Sequence, residues 1–297
     1  MTDQSIKVAF CVAYDWGLLA HSLPLVYEAA DTICLSIDKD RISWSGNGFS
    51  WDEAGFQQLI RAIDTNSKIR LLEEDFHLSD LTPMQNEVRQ RHRMAEFMGP
   101  GGWHVQLDTD EFFLGFREFA AYLKTIRTRR KVNVVCPWIT LYKQGSGGFF
   151  YVKPERFSEI EYIQVATRWP HYEYGRRNGY FNILCNFPLL HFSWARSEAE
   201  MWEKLNNWGH ATDFDVPRFF ALWKEVSRDN YQQYKNFHHL HPEAWPRLGF
   251  LEGDSVHDMI RSQEGRFRLP VSRLLLWAQN SLWFSRLRAF LKRFRQH

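Results

Sequence analysis

The sequence lacks the features that mark several large classes of protein. Its 37 Lys or Arg residues nearly balance 35 Asp or Glu residues, and the net charge of +2 argues against bulk binding of nucleic acid. No apolar run reaches the ~18 residues that a membrane-spanning helix needs. The four cysteines are scattered and form no Cys-x-x-Cys pair, so we expect buried, reduced thiols in a cytoplasmic protein.

Two common phosphate-binding motifs are also absent. The chain has neither the G-x-G-x-x-G pattern of dinucleotide-binding folds nor the P-loop pattern G-x-x-x-x-G-K-[ST], so it is not an ordinary binder of either kind. Residues 6–14 are too short for the core of a secretory signal and lack a basic start and a cleavage site. They predict a first buried strand instead.

The most informative segment is 103–113, where three carboxylates follow a short apolar run. These are Asp108, Asp110 and Glu111, and the glycine-rich turn 99–102 stands before the run. We interpret the segment as a buried strand that ends in an acidic tip, and strand ends of α/β sheets are where ligands usually bind. Carboxylates with no basic residue among them favour Mg²⁺ or Mn²⁺, which can hold the phosphates of a substrate. The alternative is a solvated acidic turn that caps the next helix.

Two other Asp-x-Asp patterns occur, and their context is less favourable. Asp38-Lys39-Asp40 follows an apolar run but carries its own lysine. Asp213-Phe214-Asp215 lies in a mixed polar segment with no strand before it. The pattern at 108–110 is therefore the preferred metal site.

The first hundred residues alternate between strand-like and helix-like segments. This alternation predicts an α/β fold with a mostly parallel sheet and helices on both faces. The predicted strands are 6–14, 32–37, 68–72 and 103–107, and the predicted helices are 17–30, 52–64 and 82–98. Further on, the sequence predicts a helix at 115–130, strands at 132–139 and 149–152, and a helix that begins near Ser197 in a capping box with Glu200.

The C-terminal segment 265–297 has a different character, with eight Lys or Arg residues and no acid. Its apolar residues fall near helical spacing, and Asn280 is the one polar break. This pattern is typical of a helix that lies on an anionic membrane surface. The alternative is a helix that packs on the body of the protein or on a partner chain.

The order of strands and helices, together with Leu107-Asp108-Thr109-Asp110-Glu111-Phe112, resembles the GT-A glycosyltransferases. It is most similar to the family-2-like group, in which Glu-Phe follows the metal motif directly. Residues 190–197, Lys204 and Gly209-His210 are similar to the C-terminal segment of that group. The resemblance covers roughly residues 5–215.

This resemblance implies a GT-A (Rossmann-like) domain over residues 1–215. Its nucleotide-sugar half would span about 1–114 and its acceptor half about 115–215. A helical extension would follow at 216–264, and the basic amphipathic tail would occupy 265–297.

The resemblance also implies a metal site. Asp108 and Asp110 would hold Mn²⁺ or Mg²⁺ against the diphosphate of a nucleotide-sugar donor, and His191 would be a third ligand. From the residues themselves, a lone histidine such as His191 is often structural.

Nucleotide contacts follow from the same resemblance. Asp38 would contact the base or ribose, and Tyr14 and Asp15 would line the nucleotide pocket. The chemistry of the residues, rather than the resemblance, makes Arg89 and Arg93 on the helix predicted at 82–98 candidates for binding the phosphates. The alternative is a solvated face, which three arginines on one helix more often form.

The catalytic base is the least determined residue. An inverting transfer needs a carboxylate that takes the proton of the acceptor hydroxyl. The chain lacks the Glu-Asp pair that marks this base in many processive members of the family. Glu173, in an aromatic and arginine-rich stretch, is the first candidate, and Asp213 is the second.

These observations predict a metal-dependent, inverting glycosyltransferase that moves a sugar from a nucleotide sugar to a glycan or glycolipid, as in bacterial surface polysaccharide or lipopolysaccharide assembly. It would lie at the inner face of the cell membrane. The alternatives are a metal-dependent nucleotidyl or phosphoryl transferase and a non-catalytic, membrane-associated binding protein. A zinc protein that uses His238, His239 and His241 is a further alternative, disfavoured because no cysteine lies near.

Overall fold

The computed structural model describes residues 3–207, 214–281 and 284. Within these residues the strands are β1 (Ile6–Val12), β2 (Thr32–Asp38), β3 (Ile69–Glu74), β4 (Trp103–Asp108), β5 (Glu111–Phe113), β6 (Val132–Gly145), β7 (Gly148–Val152), β8 (Tyr162–Thr167), β9 (Phe181–Leu184), β10 (Leu189–His191) and β11 (Leu248–Glu252). The helices are α1 (Leu19–Tyr27), α2 (Glu53–Ile63), α3 (Pro83–Met98), α4 (Phe116–Thr125), α5 (Glu198–Asn207), α6 (Val216–Glu225), α7 (Val256–Gln263) and α8 (Arg273–Asn280). Short 3₁₀ helices lie at Trp16–Leu18, Phe157–Glu159, Tyr231–Gln233 and Pro242–Ala244.

The chain divides into two compact units, and each is discontinuous in sequence. The first unit holds the described residues up to Cys136, Tyr162–Phe187 and the described residues from Ser272 onward. The second unit holds Pro137–Glu161 and the described residues of Pro188–Val271. These boundaries differ from the predicted ones near residues 114 and 215.

The sheet of the first unit has the strand order β8-β4-β1-β2-β3. β1 pairs in parallel with β2 and β4, β2 pairs in parallel with β3, and β8 is antiparallel to β4. The prediction of a mostly parallel α/β fold is thus confirmed. The carboxyl ends of β1, β2 and β4 share one edge of this sheet, which we call the carboxyl edge; the opposite edge is the amino edge.

Burial explains why these strands take central positions. Every residue of β1 except Lys7 is buried, and six of the seven residues of β2 are buried. Strands covered on both faces are apolar almost throughout, as the sequence of a central parallel strand requires. On one face the core includes Ala9, Cys34, Leu72 and Met94.

Helix α3 is the element of the first unit that matters most for the site. Thr82 caps its first turn in a capping box with Gln85, and Pro83 occupies the first helical position, which needs no N–H donor. The buried residues of the helix form one stripe, which consists of Asn86, Gln90, Arg91, Met94, Ala95 and Met98.

The second unit contains an antiparallel pair, β7 with β11, and the predicted strand at 149–152 is part of it. Its core is aromatic, and Trp194, Trp223 and Trp245 are all buried there. The predicted capping box of α5 is confirmed, because the Glu200 N–H donates to the Ser197 hydroxyl at 3.3 Å and the Ser197 N–H donates to Glu200 Oε2 at 2.9 Å. The segment 216–264 was predicted to be helical, but it also contains β11, whose partner strand is distant in sequence.

Part of the predicted basic tail packs on the body of the first unit. Helix α8 lies against β9, and the Asn280 side chain binds the backbone of Leu184 twice. Its Oδ1 accepts from the Leu184 N–H at 2.7 Å, and its Nδ2 donates to the Leu184 carbonyl at 2.8 Å. This explains the polar break in the apolar pattern. Residues 282–283 and 285–297, which carry most of the predicted membrane-binding charge, lie outside the described residues.

No helix in the part of the chain that the structure describes is both long enough and apolar enough to cross a bilayer.

Candidate active site

The acidic tip lies at the carboxyl edge, in the tight connection from β4 to β5. Asp108 is the last residue of β4 and its side chain is 29% exposed, whereas Asp110 is 7% exposed and Glu111 is fully buried. Glu111 Oε2 accepts a hydrogen bond from the Asp108 N–H at 3.0 Å. Glu111 therefore holds the backbone at the start of this loop.

Two buried arginines hold the carboxylate of Asp108. Arg91 Nη2 donates to Asp108 Oδ1 at 2.9 Å, and Arg176 Nη2 lies 3.5 Å from Asp108 Oδ2. Arg176 also forms a two-point pair with Glu111, with Nη1 at 2.9 Å from Oε2. Arg91 Nε in turn donates to Glu87 at 2.8 Å. The loop is thus fixed by charge-assisted hydrogen bonds from two separate elements.

These contacts determine the charge state of Asp108. Burial alone would raise the pKa of this carboxyl, but the guanidinium groups of Arg91 and Arg176 outweigh it and hold the pKa below its usual value. The same carboxylate raises the pKa of Arg91 although burial opposes the charge there too. Asp108 is therefore ionised at neutral pH, as a metal ligand must be.

The surroundings of Asp108 carry an excess of negative charge. Five carboxylates, on Asp15, Glu87, Asp108, Asp110 and Glu111, stand against the two guanidinium groups of Arg91 and Arg176, which is a formal net charge of −3. Such a cluster attracts a cation.

The two aspartates suit a metal ion whose remaining ligands are supplied by the substrate and water. The described residues contain no group of three or more His, Cys, Asp or Glu side chains arranged to hold a metal ion. Asp108 and Asp110 lie two residues apart on the acidic loop, and each ionised carboxylate can accept about four hydrogen bonds or metal contacts. Mg²⁺ is usually bound by one or two carboxylates together with substrate phosphates and water. Asp108 and Asp110 would supply those carboxylates, and their role as metal ligands stays a prediction.

The segment that follows β1 contacts the acidic loop. Thr109 Oγ1 donates to Asp15 Oδ1 at 2.8 Å, so Asp15 and the segment 108–110 are joined directly. Tyr14 beside it is 59% exposed and meets Phe49 edge to face, with 6.5 Å between the ring centroids. An exposed aromatic ring next to the acidic loop suits a nucleobase, and the role of both residues in a nucleotide pocket stays a prediction.

Asp38 also lies at the carboxyl edge, but its carboxylate is used within the protein. It accepts backbone N–H bonds from Asp40 and Ile42 on one oxygen and from Phe76 and His77 on the other. These bonds connect the loops that follow β2 and β3. A contact with a base or ribose would have to replace some of them, and it stays a prediction.

The two arginines named from the sequence of α3 face elsewhere. Arg89 donates to the carbonyl of Asp75, and Arg93 pairs with both oxygens of Glu74 at 2.8 Å. The arginine that reaches the acidic loop is Arg91. It could have been found in the sequence, because it lies one helical turn before Met94 and Ala95 and so belongs to the buried stripe.

Arg176 was also missed, and no sequence signal singles it out from its neighbours. It lies in a turn closed by pairing of Tyr174 with Arg177, in which Gly175 has a φ of +54°. The turn directs Arg176 into the protein. Glu173, the first candidate for the catalytic base, is exposed in the same turn, and its carboxylate lies 3.2 Å from His171 Nε2.

The other predicted ligands have surroundings of their own, and the role of His191 as a metal ligand stays a prediction. His191 belongs to the second unit, where its ring stacks on Trp138 with 4.1 Å between centroids. Asp213 lies outside the described residues. His238 and His239 stack on each other, and burial, followed by the charge of His241, lowers the pKa of His238 to about 4.

Comparison with known proteins leaves the family open. No protein-family model matches the chain, and no curated protein matches it. Among solved structures, the chain is similar to 4-diphosphocytidyl-2C-methyl-D-erythritol synthase from Anaerococcus prevotii, at 13% identity, over 55% of this chain and 69% of that chain, with a TM-score of 0.32. A likeness at that level carries no conclusion about the activity of this chain.

Proposed function

We propose that the protein is a metal-dependent glycosyltransferase that binds a nucleotide sugar at the carboxyl edge and passes the sugar to a glycan or glycolipid. The observation that supports this proposal is the position of Asp108. It is kept ionised by Arg91 and Arg176, beside Asp110, at the edge where ligands of α/β sheets bind.

The chemistry of the donor explains why such a site is useful. A nucleotide sugar loses its nucleoside diphosphate when the sugar is transferred, so negative charge grows on phosphate oxygens in the transition state. Mn²⁺ or Mg²⁺, held by Asp108 and Asp110, would neutralise that charge. Asp15 and Tyr14 stand next to the same loop, on the side where the nucleoside would lie.

The buried arginines have a positioning role in this proposal. Arg91 and Arg176 fix the orientation of Asp108, and Arg176 with Glu111 fixes the loop that carries it. A rigid metal-binding loop loses little entropy when the diphosphate binds.

Glu173 remains the first candidate for the base that takes the acceptor's proton. Its carboxylate is 59% exposed, and Arg176, three residues later, touches the acidic loop. Asp213 remains the second candidate.

Product analysis tests the proposal and separates it from its main alternative. The protein is incubated with Mn²⁺ and either UDP- and GDP-sugars or nucleoside triphosphates. Release of a nucleoside diphosphate from the sugars supports glycosyl transfer. Release of pyrophosphate from the triphosphates supports nucleotidyl transfer by the same acidic loop. Full activity in the presence of a chelator would contradict both.

The matched variants use two of the Asp-x-Asp patterns of the chain. Asp110→Asn is expected to lower metal-dependent turnover about a hundredfold or more, as the loss of one stabilising group at developing charge typically does. Asp40→Asn removes an exposed carboxylate that pairs with Lys39 and is expected to leave turnover unchanged. If the two variants were equally active, the assignment of Asp110 to the active site would be wrong.

We also propose that the C-terminal tail binds an anionic membrane surface, and a truncation after α8, which ends at Asn280, tests this. A variant that ends at Ser281 keeps α8 and its contacts with β9 but loses Arg286, Arg288, Lys292, Arg293 and Arg295. We expect it to keep its melting temperature and to stop sedimenting with phosphatidylserine vesicles, since each basic residue contributes about 1 kcal/mol near such a surface. Neutral vesicles are the control, and continued sedimentation with anionic vesicles would contradict the proposal.

A further inference from the structure

A second site lies at the amino edge of the first unit's sheet, away from the acidic loop. It is a cavity of about 550 Å³, a size typical of small-molecule pockets. All of the residues that line it belong to the first unit. They are Pro100, Gly101, His104, Lys131, Arg168, Trp169, Pro170, His171 and Tyr180.

Strand register brings these residues together from distant parts of the sequence. His104 of β4 is paired with Thr167 of β8, so Arg168 follows next to it. Val132 of β6 is paired with Phe181 of β9, so Lys131 and Tyr180 precede the same point. Because β8 is antiparallel to β4 and β9 is parallel to β6, these strand ends meet at one edge.

The cavity wall contains buried hydrogen-bond donors with no partner. Arg168 Nε and Nη2 are buried and have no hydrogen-bond partner among the described residues. Both ring nitrogens of His104 are buried and make no hydrogen bond of good geometry among those residues, although the backbone of Gly101 and Gly99 lies close enough to influence the ring. His104 is 1% exposed. Unpaired buried polar groups of this kind are rare in native proteins and costly, which indicates a missing partner.

The wall is also positively charged. Arg168 contributes the positive charge of its guanidinium group. Burial and then repulsion from Arg127 lower its pKa, whereas Asp3 raises it, so an added negative charge would be favourable here. Lys131 adds another positive charge, and its Nζ lies 5.3 Å from the ring centroid of Tyr180. The preferred partner of these groups is therefore an anion, because a guanidinium and an ammonium together suit phosphate oxygens.

His104 is also suited to contact an anion. Burial and the nearby Lys7 lower its pKa to about 4, although the backbone of Gly101 and Gly99 acts in the other direction. At neutral pH its ring is uncharged, so one nitrogen can donate a hydrogen bond to an anion without the cost of a further buried charge.

We propose that this amino-edge pocket binds a small phosphorylated molecule, with its phosphate near Arg168, Lys131 and His104 and its organic part against Trp169 and Tyr180. Aromatic walls suit the apolar face of a sugar or another ring. The transfer reaction proposed for the carboxyl edge uses none of these residues.

Isothermal titration of the full chain tests the proposal, with inorganic phosphate, glucose 1-phosphate and glucose as probes. The buffer contains EDTA, so a metal-dependent site at the carboxyl edge stays silent. We expect both phosphate-bearing probes to bind, glucose 1-phosphate more tightly than inorganic phosphate, and glucose not to bind. Equal affinity of the two phosphates would overturn the placement of the organic part, and failure of both to bind would overturn the site.

Matched variants locate the binding. Lys131→Ala and Arg168→Ala should each weaken the affinity for glucose 1-phosphate about tenfold, which corresponds to the loss of a hydrogen bond to a charged group. Arg130→Ala, an exposed neighbour that does not line the cavity, should bind as the wild type does. Because Lys131 is exposed, its variant remains informative even if Arg168→Ala does not fold.

Two further readouts separate this site from the carboxyl edge. Asp110→Asn should leave the affinity for glucose 1-phosphate unchanged, and loss of binding in that variant would assign the phosphate to the other edge. In an NMR titration, the pKa of His104 should rise from about 4 when glucose 1-phosphate is bound. An unchanged His104 would contradict its place in the site.

Discussion

The two edges of the first unit's sheet differ in how their charges are satisfied. At the carboxyl edge, Arg91 and Arg176 are paired with Asp108 and Glu111, and the excess charge is negative. At the amino edge, the excess charge is positive, and two buried nitrogens of Arg168 have no partner. Arg91 Nη1 is also buried without a partner, but the other nitrogens of Arg91 are paired with Glu87 and Asp108. The carboxyl edge is therefore organised around its own ion pairs, whereas the proposed ligand would complete the amino edge.

The difference between the two edges is clearest for Arg168 and Arg176, which lie on the same segment of chain. The connection from β8 to β9 supplies Arg168 to the amino edge and Arg176 to the carboxyl edge. Removing a partner from a buried ion pair leaves an uncompensated charge, whereas removing a group without a partner does not. The same substitution at the two positions should therefore have very different consequences for stability.

The largest effect is expected for Arg176→Met. The change leaves the fully buried carboxylate of Glu111 without its guanidinium, and the free energy of unfolding should fall by about 3–5 kcal/mol. Urea denaturation measures this. Arg177→Ala, at the exposed neighbouring position, should remain within about 0.5 kcal/mol of the wild type. A loss below about 1 kcal/mol in Arg176→Met would mean that the pair with Glu111 is not a structural element of the carboxyl edge.

A smaller effect is expected in the acid range for Asp108→Asn. The folded-state pKa of Asp108 lies below its unfolded value, so the stability that its ion pairs contribute is complete above about pH 4 and is lost as the pH falls through the folded pKa. The free energy of unfolding of the wild type should therefore fall more steeply below about pH 4 than that of the variant. Parallel curves for the two proteins would contradict the assignment of this shift to Asp108.

The smallest effect is expected for Arg168→Met. Its buried Nε and Nη2 make no hydrogen bonds that could be lost, and its contact with the ring of Trp103, at 5.0 Å, contributes little. The free energy of unfolding without ligand should stay within about 1 kcal/mol of the wild type. If Arg168→Met lowered the free energy of unfolding as much as Arg176→Met does, the proposed difference between the two edges would be contradicted.

Much of the first unit could be predicted from the sequence because its signals are local. The apolar runs of β1, β2 and β4 and the acid cluster after β4 are contiguous, and the parallel sheet follows from their alternation with helices. Arg91 was within reach of the same reasoning, since the stripe that buries it has helical spacing.

The rest depends on contacts that no local pattern encodes. Whether Arg176 or Arg177 turns inward is decided by a turn with Gly175 in the left-handed region. Asp38 ends its strand like a ligand-binding residue, yet four backbone N–H groups from two loops use its carboxylate. The amino-edge pocket exists only because the register of β8 and β9 brings Arg168 and Lys131 to one place.

The most direct test of the central claim is the position of a bound metal. A crystal of the protein is soaked with MnCl₂ and UDP or GDP, and the anomalous signal of manganese is measured. We predict a peak within coordination distance of carboxylate oxygens of Asp108 and Asp110, with the diphosphate on its open side. A manganese peak elsewhere, with both side chains directed away from the nucleotide, would contradict the account.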